Sequence, residues 1–261
     1  MNILDIKQLE KLHSKARINS YVELCINKEN TTEICNIYKY NRELCIYFNQ
    51  MIYHIELILR NKIYQAITKL DKDNNWDSEI SKNKINLFEL LQEDKDNLSS
   101  AEVIKIKNDA IKSYEKKGND FLKIKPENQK DIIVSRLKFS FWNFLISNNL
   151  HNHNFLNLIF IFDYAESRDY THLSKEIKKI NYLRNRIAHH ENIIKSLKTV
   201  NTYNNHLKNI LKHLIEKEQY ALIIKDCENC SQKNFKEIFH TLNKIHINGK
   251  VDKKTKDIKK K

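Results

Sequence analysis

The sequence predicts an all-α protein, and three observations carry that prediction. Gly occurs twice and Pro once in 261 residues, where average usage would supply roughly 30 of the two together. Hairpins favour Gly, Asn-Gly or Pro at their turns, so the shortage argues strongly against a β-rich fold. The apolar residues also recur at helical spacing through long runs, most densely from Ile34 to Ile67. The scarcity of Gly further removes the Gly-rich phosphate loops, and with them the dinucleotide-binding and Walker-type nucleotide chemistries.

Taken in order, Ile3–Lys15 reads as a short amphipathic helix and Ile18–Asn27 as a second short piece. Thr31 or Thr32 is placed to cap a helix with Glu33 in its first turn. From there to about Leu70 the chain is apolar around much of a helical circumference, as one long helix or two joined near Asn41. That makes it the expected central element. Asp71–Lys84 is a polar loop signal, and Ile85–Leu91 and Ala101–Lys117 are charged helical stretches ended by Lys-Gly-Asn-Asp. Residues 71–125 therefore read as a peripheral insertion. Pro126 suits a first helical turn, and the helix after it is expected to reach about Ile146, with the aromatic run S-R-L-K-F-S-F-W-N-F-L read as core packing. Phe155–Tyr164 reads as a short apolar helix. The next is expected from Thr171 to Leu197, a charged one to about Glu218, and a last short one over Phe235–Ile245. Residues 1–248 are expected to form one domain with its core at 31–70 and 126–218, and 249–261 a basic, disordered tail.

The formal net charge is +13, which suits a polyanionic partner, nucleic acid first. The tail holds seven Lys against two Asp, leaving +8 for the rest. The N-terminus has acids and no long apolar core, so no signal peptide is read there. Five Cys without such a signal fit a reduced, cytoplasmic setting, and no apolar run is long enough to span a bilayer.

One stretch stands apart. Asn181–Asn192, N-Y-L-R-N-R-I-A-H-H-E-N, places two Arg and two adjacent His between Arg184 and His190. At about 100° per residue, Leu173, Ile177, Ile180 and Ile187 form one stripe, with Arg184 in its middle. A guanidinium in an apolar seam needs a compensating partner, and Glu191, on the same side two turns later, is placed to supply it. Asn185 and His189 are an i,i+4 pair beside the seam, while Arg186 and His190 are expected to point away. The set suits phosphodiester cleavage in RNA. His titrates near neutral pH and can move a proton at the 2′-hydroxyl or the leaving oxygen. Arg neutralises the phosphate, and Asn can donate to it or orient the His. The bland alternative is an Arg buried in a salt bridge beside a solvated His.

L-R-N-R-I-A-H-H resembles the R-x4-6-H motif of HEPN domains, and more closely that of the Abi-like (abortive infection) branch, with its doubled His. K-A-R-I-N-S-Y at Lys15–Tyr21, I-Y-K-Y-N at Ile37–Asn41 and H-I-E-L-I-L-R-N-K-I at His54–Ile63 resemble further elements of that branch. The branch's usual Gly after the Phe of its aromatic helix is absent here, where Ser140 and Trp142 follow the two Phe. The resemblance spans about Arg17 to Glu191. It implies a HEPN-like helical bundle with additional peripheral helices, acting as a metal-independent endoribonuclease without cofactor. It further implies a homodimer with one motif from each chain, RNA as substrate, a role in phage defence or as a toxin, and a regulatory RNA or antitoxin as a further partner. Arg184, Asn185 and His189 are then the catalytic set, with Glu56, Arg60, Asn61, Arg186 and His190 supporting it or binding RNA.

Each of these has a competing reading. Glu56 and Arg60 are equally an ordinary i,i+4 helix pair, worth about 0.3–0.5 kcal/mol. Cys227 and Cys230 with His240 and His246 are loosely compatible with a zinc site but lack a finger's hairpin signals. The whole chain has an alternative as a non-catalytic HEPN-type module that binds RNA or a protein partner.

Overall fold

The computed structural model describes residues 6–72, 100–116, 118, 120–124, 132, 134–139, 141–142, 170–231 and 234–244. Among them the fold is all-α, with no strand. The α-helices are α1 (Ile6–His13), α2 (Lys15–Val22), α3 (Thr31–Lys72), α4 (Ser100–Glu115), α5 (Tyr170–Ala188), α6 (Leu197–Leu214), α7 (Lys217–Cys230) and α8 (Phe235–Lys244), with a 3-10 turn at Phe121–Lys123. None is long and apolar enough to cross a membrane. The expected polar loop after Asp71, the helix over Phe155–Tyr164 and the basic tail lie outside the described residues. The chain divides into two compact units, Met1–Ile55 with Tyr182–Lys261, and Glu56–Asn181.

The first unit is organised on the N-terminal half of α3, which runs without a break through Asn41. Ile34, Ile37, Leu44, Tyr47, Phe48, Met51, Ile52 and Ile55 are all buried, which explains why a helix with so many apolar positions needs partners on several sides. One partner is α6, whose Tyr203 ring lies 6.3 Å from Phe48 and whose Val200, Leu207, Ile210 and Leu211 are buried. Another is α8, whose Phe235 stacks on Tyr47 at 5.6 Å between ring centroids and lies 6.0 Å from Phe48. The Tyr47 hydroxyl donates to Asn204 Oδ1 at 3.3 Å, so its one polar atom is satisfied inside the core.

In the second unit Phe139, Phe141 and Trp142 are buried, as the core reading of the aromatic run requires. The long helix expected after Pro126 is interrupted, however: Leu137 and Lys138 are not helical. Arg60 supplies the reason. Its guanidinium donates to the carbonyls of Ser135 at 3.2 Å and Leu137 at 3.4 Å, oxygens that a continuing helix would spend on its own amides. The Leu137 amide turns back to Val134 in a tighter, 3-10-type bond. At the other end of the unit α4 stops where the sequence placed its Gly, with Gly118 at φ 78°.

Candidate functional site: the C-terminal turn of α5 and its clasp

The motif helix ends at Ala188, well before the expected Leu197, and does so without Gly or Pro. His190 adopts the left-handed conformation, φ 54°, that Gly would normally supply. Its amide bonds the Ile187 carbonyl at 3.0 Å and the next amide, of Glu191, reaches back to the Arg186 carbonyl at 2.9 Å. That pair of bonds is a Schellman stop with His in the glycine position. Asn192 then folds its own side chain onto the Ile194 amide, and Ser196 caps α6 by accepting from the Thr199 amide at 3.1 Å.

The early stop changes the roles within the motif. Arg186, expected to point away, is the buried arginine, 6% exposed. It donates to Glu191 Oε2 at 2.9 Å, to the Tyr203 hydroxyl at 3.3 Å and to the Asn192 carbonyl. Its guanidinium also lies over the Tyr182 ring, 5.9 Å from the centroid. Burial disfavours the charge, but the hydrogen bonds to Glu191 and Tyr203 outweigh it and hold the Arg186 pKa above its ordinary value. Arg184 is half-buried, and Glu191 compensates Arg186 instead. Two effects displaced the expectation. Leu183 is buried and widens the seam toward Arg186. The turn at His190 also takes Glu191 off the helical lattice and carries it across the face that Arg186 occupies.

The turn is clasped from the N-terminal helices. Arg17 of α2 donates to the His189 carbonyl at 3.3 Å, and the Asn192 carboxamide donates to the Ser20 carbonyl at 2.9 Å. Asn41 of α3, 4% exposed, holds the other side. Its oxygen accepts from the Ile193 amide at 2.9 Å, and its nitrogen donates to the Glu191 carbonyl at 3.4 Å and the Tyr21 hydroxyl at 3.0 Å. Burial pushes the Tyr21 hydroxyl far above the usual tyrosine range, so it stays a neutral partner. In the sequence Asn41 and Tyr21 only end two of the stretches that resemble the family. A lone Asn in an apolar helix face was the signal available for a role, since a buried carboxamide must find partners.

Asn185 and His189 are both exposed and are linked along the last turn by the His189 amide bonding the Asn185 carbonyl at 2.9 Å. Among the described residues the His189 ring takes no hydrogen bond. In the second unit Glu56 pairs with Arg60 at 3.2 Å, and Arg60 is further occupied by the two carbonyls described above, while Asn61 is exposed. The helix-pair reading of Glu56 and Arg60 thus accounts for their side chains without an anion. His54 bonds Asp226 at 3.1 Å. Among the described residues no group of three or more His, Cys, Asp or Glu is placed to hold a metal ion. Cys227 is buried, its thiol pushed up to about 12 by burial, while Cys230 and His240 are exposed; His246 lies outside the described residues.

Comparison with family models, with curated proteins and with solved structures gives no match for this chain.

Proposed function

We propose that the chain is a metal-independent endoribonuclease of the HEPN type, in its Abi-like branch, acting in the cytoplasm in phage defence or as a toxin. The observation that carries this reading is the exposed Asn185/His189 pair, one helical turn apart, beside the half-buried Arg184 on a turn braced by Arg186, Arg17 and Asn41. In the reaction the substrate's 2′-hydroxyl attacks the adjacent phosphorus. The 2′-O–P bond forms, the P–O5′ bond breaks, and the products carry a 2′,3′-cyclic phosphate and a 5′-hydroxyl. His189 takes the proton from the 2′-oxygen or delivers one to the leaving 5′-oxygen, and Arg184 neutralises the charge on phosphate. One His per chain supplies one of these two roles, so a homodimer with a second His189 completes the acid–base pair.

The unpartnered His189 ring favours a second reading, a non-catalytic module that holds RNA or a partner through the same residues. A base without an orienting bond depends on substrate or the second copy to aim it. One assay separates the two: wild type and His189→Ala side by side on RNA in EDTA. The ribonuclease reading expects cyclic-phosphate ends from wild type and a loss of about 100-fold or more in the variant, with the thermal midpoint unchanged. RNA affinity that falls with salt and survives His189→Ala, with no cleavage by either protein, establishes the binding reading instead.

A further inference from the structure

Against the clasp, within the first unit, α1, α2, α3 and the end of α5 enclose a cleft of about 510 Å³. Ligand clefts run from roughly 300 to 1,000 Å³, so it is large enough for a small molecule. Its basic lining consists of Arg17, Arg42, His13 and His190, and no carboxylate lines it. Among the described residues neither Arg17 nor Arg42 has a carboxylate within ion-pair distance. Burial pushes the Cys45 thiol up to about 12 and moves Tyr21 in the same direction, so neither adds a negative charge to the wall. The cleft therefore has positive charge at its rim and nothing negative to balance it.

Its aromatic wall is fixed in advance. The Tyr38 hydroxyl and His13 Nε2 are 2.9 Å apart in a hydrogen bond, and their rings lie 5.4 Å apart, tilted by 41°. Tyr21 braces Tyr38 edge-on at 5.5 Å. Arg17 is fixed as well, since one of its five donors is spent on the His189 carbonyl and the rest are left for a ligand. Ile46 and Ile187 add aliphatic surface. A flat aromatic group against Tyr38 and His13, joined to a phosphate at Arg17 and Arg42, satisfies both halves of the lining.

We infer that this cleft binds a nucleotide, its phosphate at Arg17 and Arg42 and its base beside Tyr38 and His13. The assignment goes beyond the ribonuclease reading, because it needs neither cleavage nor His189. The nucleotide has two sources, a free mononucleotide or one residue of an RNA strand.

Titration calorimetry of the full chain with AMP tests it, with adenosine and inorganic phosphate as the separated halves. AMP binds, and each half binds at least about tenfold more weakly. Arg42→Gln, an exposed position on α3, weakens AMP by about tenfold or more with an unchanged thermal midpoint. A 2′-O-methyl RNA trinucleotide, which cannot be cleaved, identifies the source. Competition with AMP assigns the cleft to an RNA strand, and undisturbed AMP binding assigns it to a free nucleotide. Failure of both AMP and the trinucleotide to bind overturns the inference, as does adenosine binding as well as AMP, or an Arg42→Gln affinity equal to wild type. Because AMP binding persists in His189→Ala, absent cleavage sinks the ribonuclease reading alone, and absent binding of both AMP and the trinucleotide sinks the cleft alone.

Discussion

Arg186 in the first unit and Arg60 in the second do the same kind of work with different completeness. Each brings a guanidinium from a helix to a nearby acid and to main-chain oxygens that a break in helix leaves available. Arg186 uses all three of its nitrogens, on Glu191, Tyr203 and Asn192. Arg60 uses two, and among the described residues its buried Nε has no partner, nor has the buried Trp142 Nε1 of the same unit. An unmade bond in a buried place carries the desolvation cost of that group. The Arg186 clasp is therefore the better-satisfied join, and it lies beside the residues proposed to act on RNA. The Arg60 clamp secures a helix interruption, its guanidinium held by Glu56 and two carbonyls.

The largest expected effect breaks the first of these joins. Arg186→Ala removes three hydrogen bonds but strands no buried charge, since Glu191 is exposed, and chemical denaturation should show a loss of about 2–4 kcal/mol. A loss under about 1 kcal/mol would mean that the clasp is not a fully formed join. Arg60→Ala should cost less, about 1–3 kcal/mol, because its removal also relieves an unpaired Nε. Equal costs for the two variants would erase the difference between the units. The smallest effect has the opposite sign. His190 holds a left-handed conformation that costs an L-residue roughly 1–2 kcal/mol, and glycine's extra chain entropy returns about 0.5–1 of that. His190→Gly should thus stabilise by about 0.5–1 kcal/mol, read as a raised thermal midpoint. A lowered midpoint would show that the His190 side chain contributes more than its backbone strain costs.

The all-α class and the central place of α3 were legible, because the shortage of Gly and Pro and the run of apolar residues are properties of composition and spacing. The C-terminal end of α5 was not. Helix stops are recognised by Gly or Pro, and here a His takes the left-handed position, so the helix looked continuous to Leu197. A helix continued past His190 would put Glu191 on the side of Arg184, whereas the turn hands Glu191 and the buried role to Arg186. The Ser196 cap was readable in principle, as a Ser with Thr199 three residues on. Arg60 was legible as half of a helix pair but not as a clamp, since its other partners are carbonyls far along the chain and backbone oxygens leave no mark in a sequence. Asn185 and His189 are found where their spacing put them, one turn apart and exposed.

The clasp around the α5 turn joins residues that are synthesised far apart. Arg17 and Ser20 each lie 172 positions before the loop residues they bond, and Asn41 lies 150 to 152 before its own. A ribosome adding roughly 5–20 residues per second separates the two halves of each bond by on the order of ten seconds or more. During that interval the N-terminal helices are outside the ribosome with the Arg17 guanidinium and the Asn41 carboxamide still lacking these partners. A nascent chain therefore cannot assemble the braced turn, whatever its other helices have done. For a protein proposed to cut RNA, the order of synthesis keeps the site unbuilt until the messenger has been read past Ile193.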